Sequence, residues 1–106
     1  MSKQPFTGNP SEIIVEQLSA LGVNYLFYNS GSREARFFDA LHENPGINGI
    51  LGLHEGTVTA MAGGYTQAKS EPAVMSVHLG AGLAQSMGQL INVCLLYTSP
   101  SPRDAT

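Results

Sequence analysis

The stretch Leu53-His54-Glu55-Gly56-Thr57-Val58-Thr59-Ala60-Met61-Ala62-Gly63-Gly64-Tyr65 decides how the chain folds. An apolar run, Ile50-Leu51-Gly52-Leu53, leads straight into an acid, and the acid opens a segment of mostly small side chains. A strand that runs into a helix with almost no loop is the junction where α/β proteins place ligand crevices. Glu55 stands at that junction, apolar on one side and Gly-rich on the other. A carboxyl in such surroundings is a candidate proton-transfer group. The plainer role is an acid in a helix's first turn, favoured by the helix dipole. Gly63-Gly64 falls inside the helix, where each glycine costs about 1 kcal/mol relative to alanine. That cost implies close approach by a neighbouring helix, a subunit or a cofactor.

Upstream, Asn9-Pro10-Ser11-Glu12 is a helix opening, with Asn as N-cap, Pro at the first position and Glu at the third. Ile14, Leu18 and Leu21 recur at helical spacing, and Gly22 ends the helix. Residues 23–28 read as a strand, and Asn29-Ser30-Gly31-Ser32 as a turn whose Ser32 caps a second helix over residues 33–43. Phe37, Phe38 and Leu41 form that helix's apolar side, and Asn44-Pro45-Gly46 stops it. Residues 47–53 are the second strand. Downstream of the opening stretch, Ser70-Glu71-Pro72 breaks the third helix near Lys69. Residues 73–77 form a third strand, apolar enough to be covered on both faces. Gly80-Ala81-Gly82 reads as a turn before a fourth helix from about residue 82, with Leu83, Met87, Leu90 and Ile91 on one face. Three strands alternating with four helices predict an α/β fold, a parallel sheet with flanking helices joined by right-handed crossovers.

The 106 residues suffice for one domain, and 42% hydrophobic content makes a core feasible. Charged residues are only 12%, about half the usual share, which suits a surface covered by other protein. A net charge of −3 without a basic cluster argues against nucleic acid as a partner. No apolar run approaches the roughly 20 residues of a membrane span, and the N-terminus lacks a signal-peptide core. A cytoplasmic location is the default expectation. The lone Cys94 excludes an internal disulfide.

Beyond Glu55, His78 follows the third strand directly, and Ser32 follows the first. Parallel strands bring all three to one sheet edge. His78 is a credible proton donor or acceptor, although a lone histidine is more often structural. Backbone N–H groups at Gly80-Ala81-Gly82 could hold an anion at a helix start. No metal-ligand spacing, P-loop lysine, full dinucleotide fingerprint or Ser/His/Asp triad is readable. The tail Cys94-Leu95-Leu96-Tyr97-Thr98-Ser99-Pro100-Ser101-Pro102-Arg103-Asp104 breaks the helical logic. It resembles one reading frame of a common transposase-type sequencing adapter. The expected division is a partial domain over residues 1–93 and a non-native tail over 94–106.

These residues resemble the N-terminal, pyrimidine-binding domain of thiamine-diphosphate-dependent enzymes, the acetolactate synthase and benzoylformate decarboxylase group. His54-Glu55-Gly56 with Ala62-Gly63-Gly64-Tyr65, Glu71-Pro72-Ala73 before a strand, and Val77-His78-Leu79-Gly80-Ala81-Gly82 carry the resemblance. It implies a truncated portion of a larger thiamine-diphosphate-binding fold, from an enzyme acting on a 2-keto acid. Glu55 then matches the glutamate that hydrogen-bonds N1′ of the cofactor's aminopyrimidine and promotes deprotonation at C2. His78 matches a proton-transfer histidine, Ser32 a serine that binds substrate carboxylate, and Gly80, Ala81 and Gly82 the loop flanking the cofactor.

The resemblance further implies Mg2+ with ligands in a later domain, and a homodimer or homotetramer of the full-length chain, because each site is shared between subunits. A fragment is then inactive alone. Two positions depart from the pattern: Ser30 replaces a usual proline, and Leu79 replaces a small polar residue. They leave the substrate open. An acetolactate-synthase-like carboligase in which His78 is not catalytic is an alternative to the decarboxylase. So are a non-catalytic assembly domain and a mononucleotide-binding α/β domain.

Overall fold

The computed structural model describes residues 6–97. In order these form α1 (Pro10–Ala20), β1 (Tyr25–Tyr28), a 3-10 turn (Ser32–Glu34), α2 (Ala35–His42), β2 (Asn48–Leu51), α3 (Glu55–Lys69), β3 (Val74–Ser76) and α4 (Leu79–Tyr97). The Ser/Pro run from Thr98, part of the expected non-native tail, lies outside the described residues.

Helix α1 opens as expected. The Asn9 side chain accepts the Glu12 N–H at 2.9 Å, and the Glu12 carboxylate accepts the Asn9 N–H at 2.9 Å. Two otherwise orphaned donors are thereby satisfied. After the C-cap at Leu21, Gly22 turns the chain at φ 85, a conformation that disfavours any side chain. The expected apolar stripe is rotated, however. Val15 is buried and Leu18 packs beside it, whereas Ile14 and Leu21 are exposed. Ile13, Ile14 and Val15 are consecutive, so spacing alone could not choose among them.

The sheet has three parallel strands in the order β2-β1-β3. Successive residues of the central strand point to opposite faces. Leu26, 1% exposed, joins Val15, Ala40, Leu41 and Ile47 beneath α1 and α2, with Phe37 and Phe38 packed against them. Phe27 faces the other way, onto Val58 and Ala62 of α3. Full burial of side chains such as Leu26 and Val58 stabilises the fold by about 1.5–3 kcal/mol each. Helices therefore cover both faces, and the α/β parallel-sheet expectation holds. Strand β3 is half-buried rather than covered on both faces, because it is an outer strand here.

Helix α4 lies against α3. A Cβ on Gly63 would fall 2.8 Å from Val93 Cγ2, so this glycine permits the approach. Gly64 has open space where a side chain would go. Gly82, Ser86 and Val93 recur at helical spacing on the α3 side of α4, and Ser86 is fully buried. Leu83, Met87 and Ile91 turn outward and are about half exposed. The helix begins at Leu79, not near residue 82, so Gly80-Ala81-Gly82 is its first turn rather than a preceding turn. It also continues past Val93 to Tyr97.

The order β2-β1-β3 has a functional consequence. From β1 the chain moves to one side to make β2, then crosses back to make β3 on the other. The point where strand order reverses lies between β1 and β3, and the loops leaving their carboxyl ends diverge there. Open α/β sheets bind ligands in that crevice.

Candidate functional site

Three loops leave the carboxyl edge of the sheet: residues 29–34 after β1, 52–54 after β2 and 77–78 after β3. They carry Ser32, the approach to Glu55, and His78, as expected from sequence. Ser32 does not act as expected in one respect. It lies in the 3-10 turn, α2 starts three residues later at Ala35, and neither turn nor helix has a side-chain cap bond. Its hydroxyl is on an exposed residue at the crevice.

Glu55 is the first residue of α3 and only 7% exposed. The helix is capped by the residue before it. His54 is extended, and its Nδ1 accepts the Gly56 N–H at 2.9 Å. That role was not read from the sequence, since histidine is an uncommon N-cap. Thr59, also buried, donates its hydroxyl to the Glu55 carbonyl at 2.8 Å and ties down the first turn. Against the Glu55 carboxyl lies Gly82 of α4, where a Cβ would fall 2.7 Å from Oε2 and 3.3 Å from Cδ. Among the described residues no enclosed side-chain polar atom lacks a partner. The carboxyl, which receives no side-chain or backbone donor among them, therefore keeps an open side. Gly80 and Ala81 are exposed in the same first turn of α4.

His78 is brought to a residue that sequence reasoning missed. Its Nδ1 lies 2.7 Å from Oε2 and 3.0 Å from Oε1 of Glu34, a partly buried pair. The two are 44 positions apart, so no local spacing could have announced the contact. The pair spans the β1 and β3 loops, across the reversal of strand order. His78 and Glu55 share no hydrogen bond among the described residues, but one backbone link connects their surroundings. The N–H of Gly82, against Glu55, donates to the His78 carbonyl at 3.0 Å. Between them Leu79 holds φ 61, a left-handed conformation that costs a non-glycine residue about 1–3 kcal/mol. Such strain concentrates at functional sites.

Residues 9–96 match the thiamine pyrophosphate enzyme N-terminal TPP binding domain. The chain belongs to the thiamine pyrophosphate enzymes. Benzoylformate decarboxylase of Pseudomonas aeruginosa is 40% identical over 77 residues, covering 73% of this chain and 14% of that protein. The acetolactate synthase large subunit of Lactococcus lactis is 31% identical over 85 residues, covering 80% and 14%. Among solved structures, the thiamine diphosphate-dependent 4-hydroxybenzoylformate decarboxylase of Rhodococcus jostii RHA1 matches with a TM-score of 0.72 and 36% identity, over 77% of this chain and 15% of that one. The chain thus spans about a seventh of the length of these relatives. This domain of a thiamine pyrophosphate enzyme is related to decarboxylases and to acetolactate synthases alike, as the resemblance implied. No helix among the described residues is long and apolar enough to cross a membrane.

Proposed function

We propose that this chain supplies the pyrimidine-binding half of a thiamine diphosphate site in a cytoplasmic enzyme that decarboxylates a 2-keto acid. The observation that carries the reading is the Glu55 carboxyl, buried at the start of α3 with Gly82 in place of any side chain beside it. The residues fit the cofactor. A buried acceptor with one open side suits an N–H of an aminopyrimidine, and a larger residue at position 82 would displace it. When bound, thiamine diphosphate supplies the electron sink for loss of carbon dioxide.

The chain's own residues would divide the remaining work. Glu55 holds or releases a proton at its carboxyl oxygen. Gly80, Ala81 and Gly82 keep the adjoining wall thin, so that the ring lies close to the backbone. Ser32, exposed at the crevice, offers its hydroxyl to the substrate carboxylate. His78 gives and takes a proton beside the reacting carbonyl. Mg2+ would be held by ligands in a later domain of the full-length protein. The complete site would form in a homodimer or homotetramer of the full-length protein. His78 at the crevice favours decarboxylation over an acetolactate-synthase-like carboligation.

The test is Glu55→Gln in the full-length protein, with C2–H exchange of bound thiamine diphosphate followed by NMR. An amide keeps the shape and loses the proton transfer, so exchange should slow by about 10²–10⁴-fold. A wild-type exchange rate would overturn the assignment.

A further inference from the structure

His78 and Glu34 make a contact whose chemistry is more specific than an ion pair. A carboxylate is an acceptor only. With Nδ1 at 2.7 Å from Oε2 and 3.0 Å from Oε1, the ring must donate through Nδ1. A neutral imidazole protonated at Nδ1 carries its lone pair on Nε2. Which nitrogen of a histidine does chemistry is set by the bond the other one makes.

The surroundings show that this seat is built. The 3-10 turn Ser32–Glu34 folds Glu34 back over Gly31, with the Glu34 N–H donating to the Gly31 carbonyl at 3.3 Å. A Cβ on Gly31 would fall 2.1 Å from His78 Nδ1 and 2.5 Å from Glu34 Oε2. Yet Gly31 has φ −150 and ψ 150, extended backbone that any residue adopts. The glycine is required by the pair lying on it, not by its own conformation.

We propose that Glu34 is a positioning residue for His78. It holds the ring protonated at Nδ1 and pressed onto Gly31, leaving Nε2 as the atom that exchanges a proton with substrate. This rests on the reading of His78 as the proton-transfer group, and the experiment separates the two.

In the full-length protein with bound thiamine diphosphate, turnover of benzoylformate is measured for Glu34→Gln, His78→Ala and the double variant. Glu34→Gln should lower kcat at least about tenfold, within the range of a mispositioned proton-transfer group, while KM for benzoylformate and cofactor affinity stay close to wild type. The double variant should be no slower than His78→Ala alone, because both changes remove one function. Gly31→Ala, which keeps the carboxylate but occupies the ring's seat, should reproduce the loss. In protein labelled with 15N at its histidine rings, the His78 signals, assigned by their absence in His78→Ala, should report Nδ1–H in wild type and a shift toward Nε2–H in Glu34→Leu, which leaves Nδ1 no acceptor. A wild-type kcat in Glu34→Gln, losses that multiply in the double variant, or an unchanged tautomer in Glu34→Leu would each overturn the proposal. Full activity of His78→Ala would instead overturn the reading beneath it, and the proposal with it.

Discussion

Gly82 of α4 faces the carboxyl of Glu55 so closely that a methyl group there would stand 2.7 Å from Oε2. The nearest atom is the far end of a flexible side chain, so the carboxyl would yield before the helix did. Gly82→Ala therefore separates site from fold. Alanine is favoured over glycine in a helix by about 1 kcal/mol, which offsets the local crowding. Full-length protein carrying Gly82→Ala should keep its melting temperature within a few degrees. Its affinity for thiamine diphosphate should fall by about tenfold or more, equivalent to roughly 1.4 kcal/mol. Calorimetric titration showing unchanged affinity would mean that the position of the Glu55 carboxyl does not matter to the cofactor.

The adjacent glycines of α3 should respond in opposite directions. A Cβ on Gly63 meets Val93 at 2.8 Å, so Gly63→Ala forces α3 and α4 apart and should destabilise by about 1–3 kcal/mol. Gly64 has nothing within 4 Å, and Gly64→Ala should stabilise by about 0.5–1 kcal/mol through helix propensity alone. Hydrogen exchange of the α3 amides, at matched protein concentration, reads both. Equal effects at the two sites would contradict the helix contact.

The contrast shows what could be read in advance. Two glycines inside a helix signal a close approach, but only three-dimensional packing tells which one makes it. The α1 capping box was legible because Asn9 and Glu12 are three residues apart and bond to each other. The start of α4 was misread because Gly80 and Gly82 look like turn residues, whereas burial against Glu55 explains Gly82. Glu34 was silent for a different reason. Its partner lies 44 residues away, in the loop after a strand that is brought near it only because β3 pairs with β1.

Tyr65 gives a pH dependence. It stacks at 5.6 Å from Phe27 and from Tyr25, and its hydroxyl donates to Glu71 at 3.4 Å. Burial, and then the negative charge of Glu71, hold its phenol above the ordinary 10.0. The folded state therefore keeps the proton longer than the unfolded chain. The stability this confers is fully present below pH 10 and is lost as pH rises through the folded-state value. Phenolate absorbance, with Tyr65→Phe as the difference reference, should show a late-titrating tyrosine. Glu71→Gln should bring it down toward the ordinary range. A Tyr65 titration unaffected by Glu71→Gln would remove the carboxylate from the account.

At the end of α3, Ser70 takes φ 56 to terminate the helix, and its N–H donates to the Thr66 carbonyl at 2.8 Å. Glycine meets no steric penalty there. Ser70→Gly should stabilise the domain by about 1 kcal/mol, the left-handed cost of an L-residue. Ser70→Val should lose more than that, since β-branching worsens the same clash. Thermal melts of the two variants at equal concentration check the order. A reversed order would show that the chain does not turn left-handed at Ser70.

The surface of α4 leads to the last prediction. Leu83, Met87 and Ile91 stand four residues apart on one stripe and are 50%, 48% and 57% exposed, and Leu53 after β2 is 88% exposed. Strand β2 adds an open edge, its outer N–H and C=O groups unpaired within the described sheet. Charged residues, at 12%, do little to oppose association. The 106-residue chain expressed alone should therefore self-associate at about 50 µM, as partly covered apolar surfaces do. It should not bind thiamine diphosphate at that concentration, because only the Glu55 side of the cofactor would find a partner. Met87→Lys, which places a charge in the centre of the stripe, should shift sedimentation toward monomer without restoring binding. A wild-type chain that sediments as a monomer at every concentration would show that the stripe is tolerated in water. Cofactor binding by the chain alone would show that it holds more of the site than the Glu55 half.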